Sequence, residues 1–82
     1  MSAETASSTN TVELYIPLLN EGTEVLSPTA GLLLGPDVIQ VLPTVDYDPS
    51  IEEWQFPPGT KVRFASEIRG GRILLVARQR LD

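Results

Sequence analysis

Apolar and polar residues alternate along several short segments of this chain, which is the pattern of β-strands that bury one face. The clearest case is residues 12–19, where four apolar side chains at alternate positions share a face: Val12, Leu14, Ile16 and Leu18. Tyr15 falls on the opposite, outward face. The segment therefore predicts a half-buried strand.

Two further strands are predicted in the first half of the chain. One runs from about Glu24 to Ala30, and the other, which is rich in β-branched residues, covers residues 38–42. Pro17 and Pro28 interrupt the first two strands. Because proline cannot donate to a strand ladder, Pro17 indicates that the first strand lies at a sheet edge there or turns away from its neighbour. Pro28 indicates an edge or a bulge.

Residues 43–51 form the longest irregular connection. Two alternatives stay open for it: a single helical or 3₁₀ turn that starts at Asp48, with Pro49 at the first helical position, or an irregular loop. Residues 52–64 are then typical of two strands joined by a tight turn, with Pro58-Gly59 suited to the centre of a type II turn. Apolar residues alternate on both sides of that turn: Trp54 and Phe56 before it, Val62 and Phe64 after it.

The last part of the chain predicts another hairpin. Gly70-Gly71 is favoured in tight turns, and the following strand, residues 72–78, is apolar on both faces in its middle. Five or six short strands without a clear helix predict an all-β fold, a small SH3-like barrel of antiparallel strands. Closing the sheet would also remove its exposed edges.

The chain has 82 residues, a length that suits one domain. Residues 1–11 are mostly small and polar, so we expect a disordered tail followed by a single β-barrel domain over residues 12–82. The chain contains no Cys and no His, so neither disulfides nor the usual zinc ligands can support its small core.

The lack of His and Cys also removes the commonest nucleophile and base arrangements, so we expect no enzymatic activity, no cofactor and no metal site. Asp46, Asp48 and Glu52 are spaced like the first ligands of a calcium loop, but Ile51 occupies the position of its glycine. No segment approaches the roughly 18 apolar residues of a membrane helix, and no signal-peptide pattern is present. A soluble, cytoplasmic protein is therefore expected.

Acidic and aromatic residues concentrate between residues 46 and 54. Small barrels hold extended, often basic or proline-rich, peptides in shallow grooves made of such residues. We therefore predict a small non-catalytic protein-interaction module that binds a protein partner through six residues: Tyr15, Asp46, Tyr47, Asp48, Glu52 and Trp54. In the alternative interpretation, Trp54 is simply the largest core residue and the tyrosines are ordinary surface residues.

Charge is unevenly distributed along the chain. Nine acidic residues and no base precede position 61, and all six bases lie at or after it: Lys61, Arg63, Arg69, Arg72, Arg78 and Arg80. One interpretation is that late strands pair with earlier acidic ones, which places opposite charges face to face. The alternative function is nucleic-acid binding by these arginine-rich C-terminal strands, although a net charge of −5 weakens phosphate binding.

Two motifs carry a family resemblance: P-L-L-x-E-G-x-x-V within residues 15–25 and E-x-W-x-F-x-P-G-x-x-V within residues 52–63. In both, the chain resembles a set of small bacterial proteins, which implies a stand-alone soluble bacterial domain and no particular activity. It is more loosely similar to SH3-type barrels, through its acidic loop before an aromatic strand. It lacks their paired tryptophans and proline-tyrosine element, so the resemblance does not imply binding of proline-rich ligands.

Overall fold

Five strands make up the regular secondary structure of the described chain. A computed structural model describes residues 10–81, and its strands are β1 (Thr11–Pro17), β2 (Leu26–Leu33), β3 (Val38–Val41), β4 (Lys61–Arg69) and β5 (Arg72–Arg80). Most of the predicted tail, residues 1–9, lies outside the described part of the chain. β1 begins at Thr11, one residue before the predicted boundary of the domain.

The five strands close into a barrel in the order β1-β2-β3-β4-β5. Consecutive strands pair antiparallel, and β5 closes on β1 through a parallel pairing of Tyr15 with Val76. The closing pair is parallel because strands that reverse direction at each step bring the fifth strand round in the direction of the first. The predicted small all-β barrel is confirmed, with this one parallel pair as the exception to the antiparallel pattern.

The barrel interior is filled by the apolar face that the alternation predicts. The fully buried side chains of its core cluster include Leu14 and Ile16 of β1, Ile39 and Val41 of β3, and Val62 of β4. Gly31 of β2 is buried beside this cluster. A Cβ at that position would lie 2.5 Å from Cδ1 of Ile39, so the Ile39 side chain packs over the backbone of residue 31 because that residue has no side chain.

The connection from β3 to β4, residues 42–60, contributes Trp54 and Phe56 to the core. The predicted hairpin between residues 54–56 and 62–64 is wrong in its pairing. Trp54 instead forms an antiparallel bridge with Leu18 just beyond β1. The first residues of β4 already pair with β3 on one side and β5 on the other, so no free edge remains for residues 54–56.

The predicted turns are confirmed. Gly59 has a φ of 94°, which suits the third position of a type II turn, and Thr60 N donates to the carbonyl oxygen of Pro57 at 3.1 Å. Gly70 and Gly71 both have positive φ, at 59° and 80°, as a tight hairpin between β4 and β5 requires.

Pro28 lies in β2 at a position where the missing N–H is tolerated. β2 starts two residues later and ends three residues later than predicted, and β3 pairs with it only through residues 31–33. Pro28 therefore lies at the part of β2 that has a single partner, as the predicted sheet edge requires.

Within residues 10–81 there is no helix that could cross a membrane.

Candidate functional site

A concave site lies between the start of β2 and the β3–β4 connection, with a volume of about 410 Å³. We call it the acidic groove, and its lining residues are Ser27, Pro28, Thr44, Asp46, Tyr47, Asp48, Ile51 and Glu52. Four of the six residues predicted to bind a partner are among them. The groove is therefore the place where the predicted acidic and aromatic residues meet.

Backbone hydrogen bonds fix the connection against β2. Leu42 N donates to the carbonyl oxygen of Ala30 at 3.0 Å, and the buried hydroxyl of Thr29 donates to the carbonyl oxygen of Leu42. Further along, Tyr47 N donates to the carbonyl oxygen of Thr44 at 3.2 Å. These contacts hold the wall of the groove at the start of β2, where Ser27 and Pro28 supply the other side.

Asp48 caps a single turn of the connection. Its carbonyl oxygen accepts from Ile51 N at 2.9 Å and from Glu52 N at 3.0 Å, which settles the open alternative in favour of one helical turn. Its carboxylate accepts from the hydroxyl and the backbone N of Ser50, at 2.6 and 2.9 Å. These bonds, led by the one from the Ser50 hydroxyl, lower the pKa of Asp48 below its ordinary value.

Glu52 forms the floor of the groove. Its Oε1 accepts hydrogen bonds from the Ser27 hydroxyl at 2.9 Å and from Trp54 Nε1 at 3.1 Å. Both donors are buried residues, so this carboxylate oxygen satisfies two polar groups that water reaches poorly. Glu52 therefore has a structural role in addition to its contribution of negative charge.

The two aromatic residues predicted near the groove lie in contact. The rings of Tyr47 and Trp54 have centroids 4.5 Å apart and are tilted by 56°. Trp54 is buried in the core, as its alternative interpretation proposed, whereas Tyr47 is half-buried and lines the groove. Tyr15 does not line the groove, but its register partner on β2 is Pro28, which does.

The groove also carries apolar surface. Ile51 lines it with 79% of its surface exposed, and Val45, between two lining residues, is fully exposed. Sequence reasoning missed Ser27 and Pro28 because strand alternation does not report which loop packs on which strand. It missed Thr44 and Ile51, which lie in the predicted connection itself, because only its acidic and aromatic residues were selected. Thus the groove offers carboxylates, an aromatic ring and exposed aliphatic carbon to a ligand.

The six bases do not form one patch. Arg63 Nε lies 3.0 Å from Oδ2 of Asp37, at the start of β3. Lys61 and Arg72 are exposed and belong to no ion pair among residues 10–81, whereas Arg80 does have an interaction partner. The bases are therefore distributed over several surfaces.

Arg69 and Arg78 belong to a four-residue ion-pair cluster with Glu24 and Glu67. Arg69 Nη2 lies 2.7 Å from an oxygen of each glutamate, and Arg78 contacts Glu24 at 2.7 Å and Glu67 at 2.6 Å. Hydrogen bonds from Arg78, and then from Arg69, lower the pKa of Glu24 to about 2. The pKa of Glu67 is likewise lowered to about 2, mainly by Arg78.

The expected pairing of the late bases with earlier acidic strands takes another form here: Arg69 and Arg78 pair with Glu67 of β4 itself and with Glu24, which belongs to no strand. Glu24 lies in the loop before β2, and the cluster connects that loop to β4 and β5. Glu24 and Glu67 were not singled out from the sequence. The uneven distribution of charge was the available signal, but it does not specify partners.

Within the described residues no group of three or more acidic, His or Cys side chains is arranged to hold a metal ion. Comparison with known proteins finds no matching family model, no significantly similar curated protein and no significantly similar solved structure. The function is therefore inferred from the groove and its surroundings.

Proposed function

We propose that this protein is a small non-catalytic interaction module that binds an extended, cationic segment of a protein partner in the acidic groove. The observation that carries the proposal is a cavity of about 410 Å³ whose carboxylates form no ion pair with a base of residues 10–81. The ion pairs of that part of the chain use Glu24, Asp37 and Glu67 as their acids. Asp46, Asp48 and Glu52 keep their negative charge for a ligand.

A cationic ligand would gain the most favourable electrostatic interaction from this groove. Lys or Arg of a bound segment would place a positive charge beside three carboxylates that have no ion-pair partner in the described chain, which raises both encounter rate and specificity. The aliphatic stem of the same side chain would lie against Tyr47 and Ile51. An extended segment with a base beside an apolar residue therefore fits the lining better than a purely apolar one.

The groove is also preorganised. Tyr47 packs on Trp54, Asp48 caps its own turn, and Glu52 is held by Ser27 and Trp54. A ligand therefore meets side chains whose rotamers are already restricted, which lowers the entropy lost on binding. This rigidity supports a binding role for residues 44–52.

Nucleic-acid binding has less support. Arg63, Arg69 and Arg78 are neutralised by carboxylates within 3.0 Å, so half of the bases would have to exchange partners to contact phosphate. Lys61 and Arg72 alone provide little electrostatic driving force for a duplex or single strand. We also propose that the protein is cytoplasmic, as the sequence predicts.

The proposal is tested by capturing partners from a nuclease-treated lysate of the source cells on the tagged, folded protein. The variant Asp46→Asn/Asp48→Asn removes two groove charges, while the amide oxygen introduced at position 48 can still accept the capping hydrogen bonds from Ser50. The matched control Glu13→Gln/Glu21→Gln removes the same charge at two exposed positions outside the groove lining. Proteins captured by the wild type and the control should be lost with the groove variant, and equal capture by all three would contradict the proposal.

A further inference from the structure

The turn between β4 and β5 exposes two large apolar side chains. Ile68 and Ile73 are directly opposite in the register of the two strands, so they share one face of the hairpin. They are 75% and 72% exposed, and neither belongs to the packed core. We call residues 68–73 the hairpin tip. Two adjacent exposed isoleucines on a charged surface favour an intermolecular contact.

The hairpin tip also carries positive charge. Arg72 is exposed and forms no ion pair with the rest of residues 10–81. Its register partner Arg69 is held by Glu24 and Glu67, which fixes the base of the tip. Because successive side chains of a strand point to opposite faces, the tip presents the guanidinium of Arg72 on one face and the two isoleucines on the other. The guanidinium is opposite in charge to the carboxylates of the acidic groove, and the isoleucines match its exposed Ile51.

The tip cannot occupy the groove of its own chain. Pro28 in the groove is opposite Tyr15, Tyr15 is opposite Val76, and Val76 is four residues from Arg72 along β5. That path crosses two strand spacings of about 4.8 Å and four residues of about 3.3 Å each within a closed sheet. The sheet therefore holds the tip and the groove of one molecule apart, and contact between a tip and a groove requires two molecules.

We propose that the acidic groove of one molecule binds the hairpin tip of a second copy of this chain. Arg72 of the second copy would lie beside Asp46 and Asp48 of the first, and the opposite face of the tip, with Ile68 and Ile73, would lie beside Ile51. This inference rests on the proposed function, because it names the partner segment for the same groove. The contact is head to tail, so each molecule keeps one unused tip or groove for a further copy.

Two surface-specific variants test this arrangement by sedimentation velocity over a range of concentrations. Asp46→Lys/Asp48→Asn blocks the groove, and Arg72→Glu/Ile73→Thr blocks the tip while Thr retains strand propensity. We expect the wild type to sediment faster as concentration rises, and each variant alone to remain monomeric. An equimolar mixture of the two should stop at a dimer, because it contains one intact groove and one intact tip.

Three results would overturn the inference: a wild type that is monomeric throughout, a single variant that associates like the wild type, or a mixture that stays monomeric. Arg72→Gln is a milder second variant and should raise the dissociation constant about tenfold at low salt, with a smaller effect at high salt. A monomeric wild type whose lysate partners are still lost with Asp46→Asn/Asp48→Asn would leave the proposed function standing. If the groove variants change neither the set of captured proteins nor the self-association, both proposals are overturned.

Discussion

Trp54 Nε1 donates a hydrogen bond to Oε1 of Glu52 over 3.1 Å, which connects the barrel core to the floor of the acidic groove. The same oxygen accepts from the hydroxyl of Ser27 at the start of β2. A single carboxylate thus joins β2, the β3–β4 connection and the largest core side chain. Changes at Glu52 should consequently affect both stability and binding, whereas changes at the groove rim should affect binding alone.

The first prediction compares how substitutions at Glu52 and at Asp46 change the free energy of unfolding. Glu52→Ala leaves the donors of Ser27 and Trp54 without their acceptor in a region that water reaches poorly, and should lower the free energy of unfolding by about 1–3 kcal/mol. Asp46→Ala, an exposed position without a described contact, should change it by less than about 0.5 kcal/mol. Urea unfolding followed by Trp54 fluorescence measures both, and equal effects would contradict the structural role of Glu52.

The second prediction concerns Trp54. Its side chain is 4% exposed within the core cluster, so Trp54→Ala should cost about 3–5 kcal/mol through lost burial and a residual cavity. Small domains have total stabilities of about 5–15 kcal/mol, so this variant should be close to unfolded at room temperature. Amide dispersion in an NMR spectrum reports the outcome. Trp54→Phe should remain folded with a smaller loss, and an Ala variant as stable as the wild type would show that the indole is not a core residue.

Local pattern was sufficient for most of the fold. Period-two alternation identified the buried faces of β1 and β4, because a strand that covers a core on one side must alternate, and the glycine pair at residues 70–71 located the last hairpin. The pairing of Trp54 could not be predicted locally. It depends on which edges are still free once β3, β4 and β5 have paired, which is a property of the closed barrel.

Only the part of the site that is local in sequence could be predicted. Asp46, Tyr47, Asp48 and Glu52 lie within one loop, so sequence proximity brought them together correctly. Ser27 and Pro28 are about twenty residues away and join the groove through the start of β2, and Tyr15 lies one strand further on. Contacts between distant segments require the register, which composition and spacing do not contain.

The third prediction tests the packing of the Ile39 side chain over Gly31. In Gly31→Ala the new Cβ would lie 2.5 Å from Cδ1 and 2.7 Å from Cγ1 of Ile39, and 3.2 Å from Cδ2 of Leu14. Both neighbours are fully buried, so the side chains have little room to move, and the variant should lose about 1–3 kcal/mol. Gly22→Ala is the matched control because nothing lies within 4 Å of its added Cβ. Thermal or urea unfolding of the two variants measures the difference.

A compensating change sharpens that test. Ile39→Val removes Cδ1, the atom nearest to the added methyl group, and alone should cost about 0.5–1.5 kcal/mol. The double variant Gly31→Ala/Ile39→Val should therefore be more stable than the sum of the single effects indicates. Strict additivity would mean that the clash is relieved elsewhere, and that the packing of Ile39 does not limit the size of residue 31.

The last prediction uses the ion-pair cluster of Glu24, Glu67, Arg69 and Arg78. Both glutamates have a folded-state pKa lowered from 4.5 to about 2, first by hydrogen bonds from Arg78. A carboxyl whose pKa is lowered by folding contributes stability above its unfolded pKa and loses it as pH falls. The contribution should therefore be complete above about pH 4.5 and disappear as pH falls towards 2.

Arg78→Gln should flatten this part of the pH profile, because it removes the group that contributes most to both shifts. Arg72→Gln is the matched control, since it removes the same charge from an exposed position outside the cluster, and its profile should follow the wild type. Urea unfolding midpoints measured from pH 5 to pH 2 compare the three proteins, and added salt should reduce the difference because the cluster is partly exposed. Parallel profiles for the wild type and Arg78→Gln would show that the cluster does not connect the loop before β2 to the hairpin in solution.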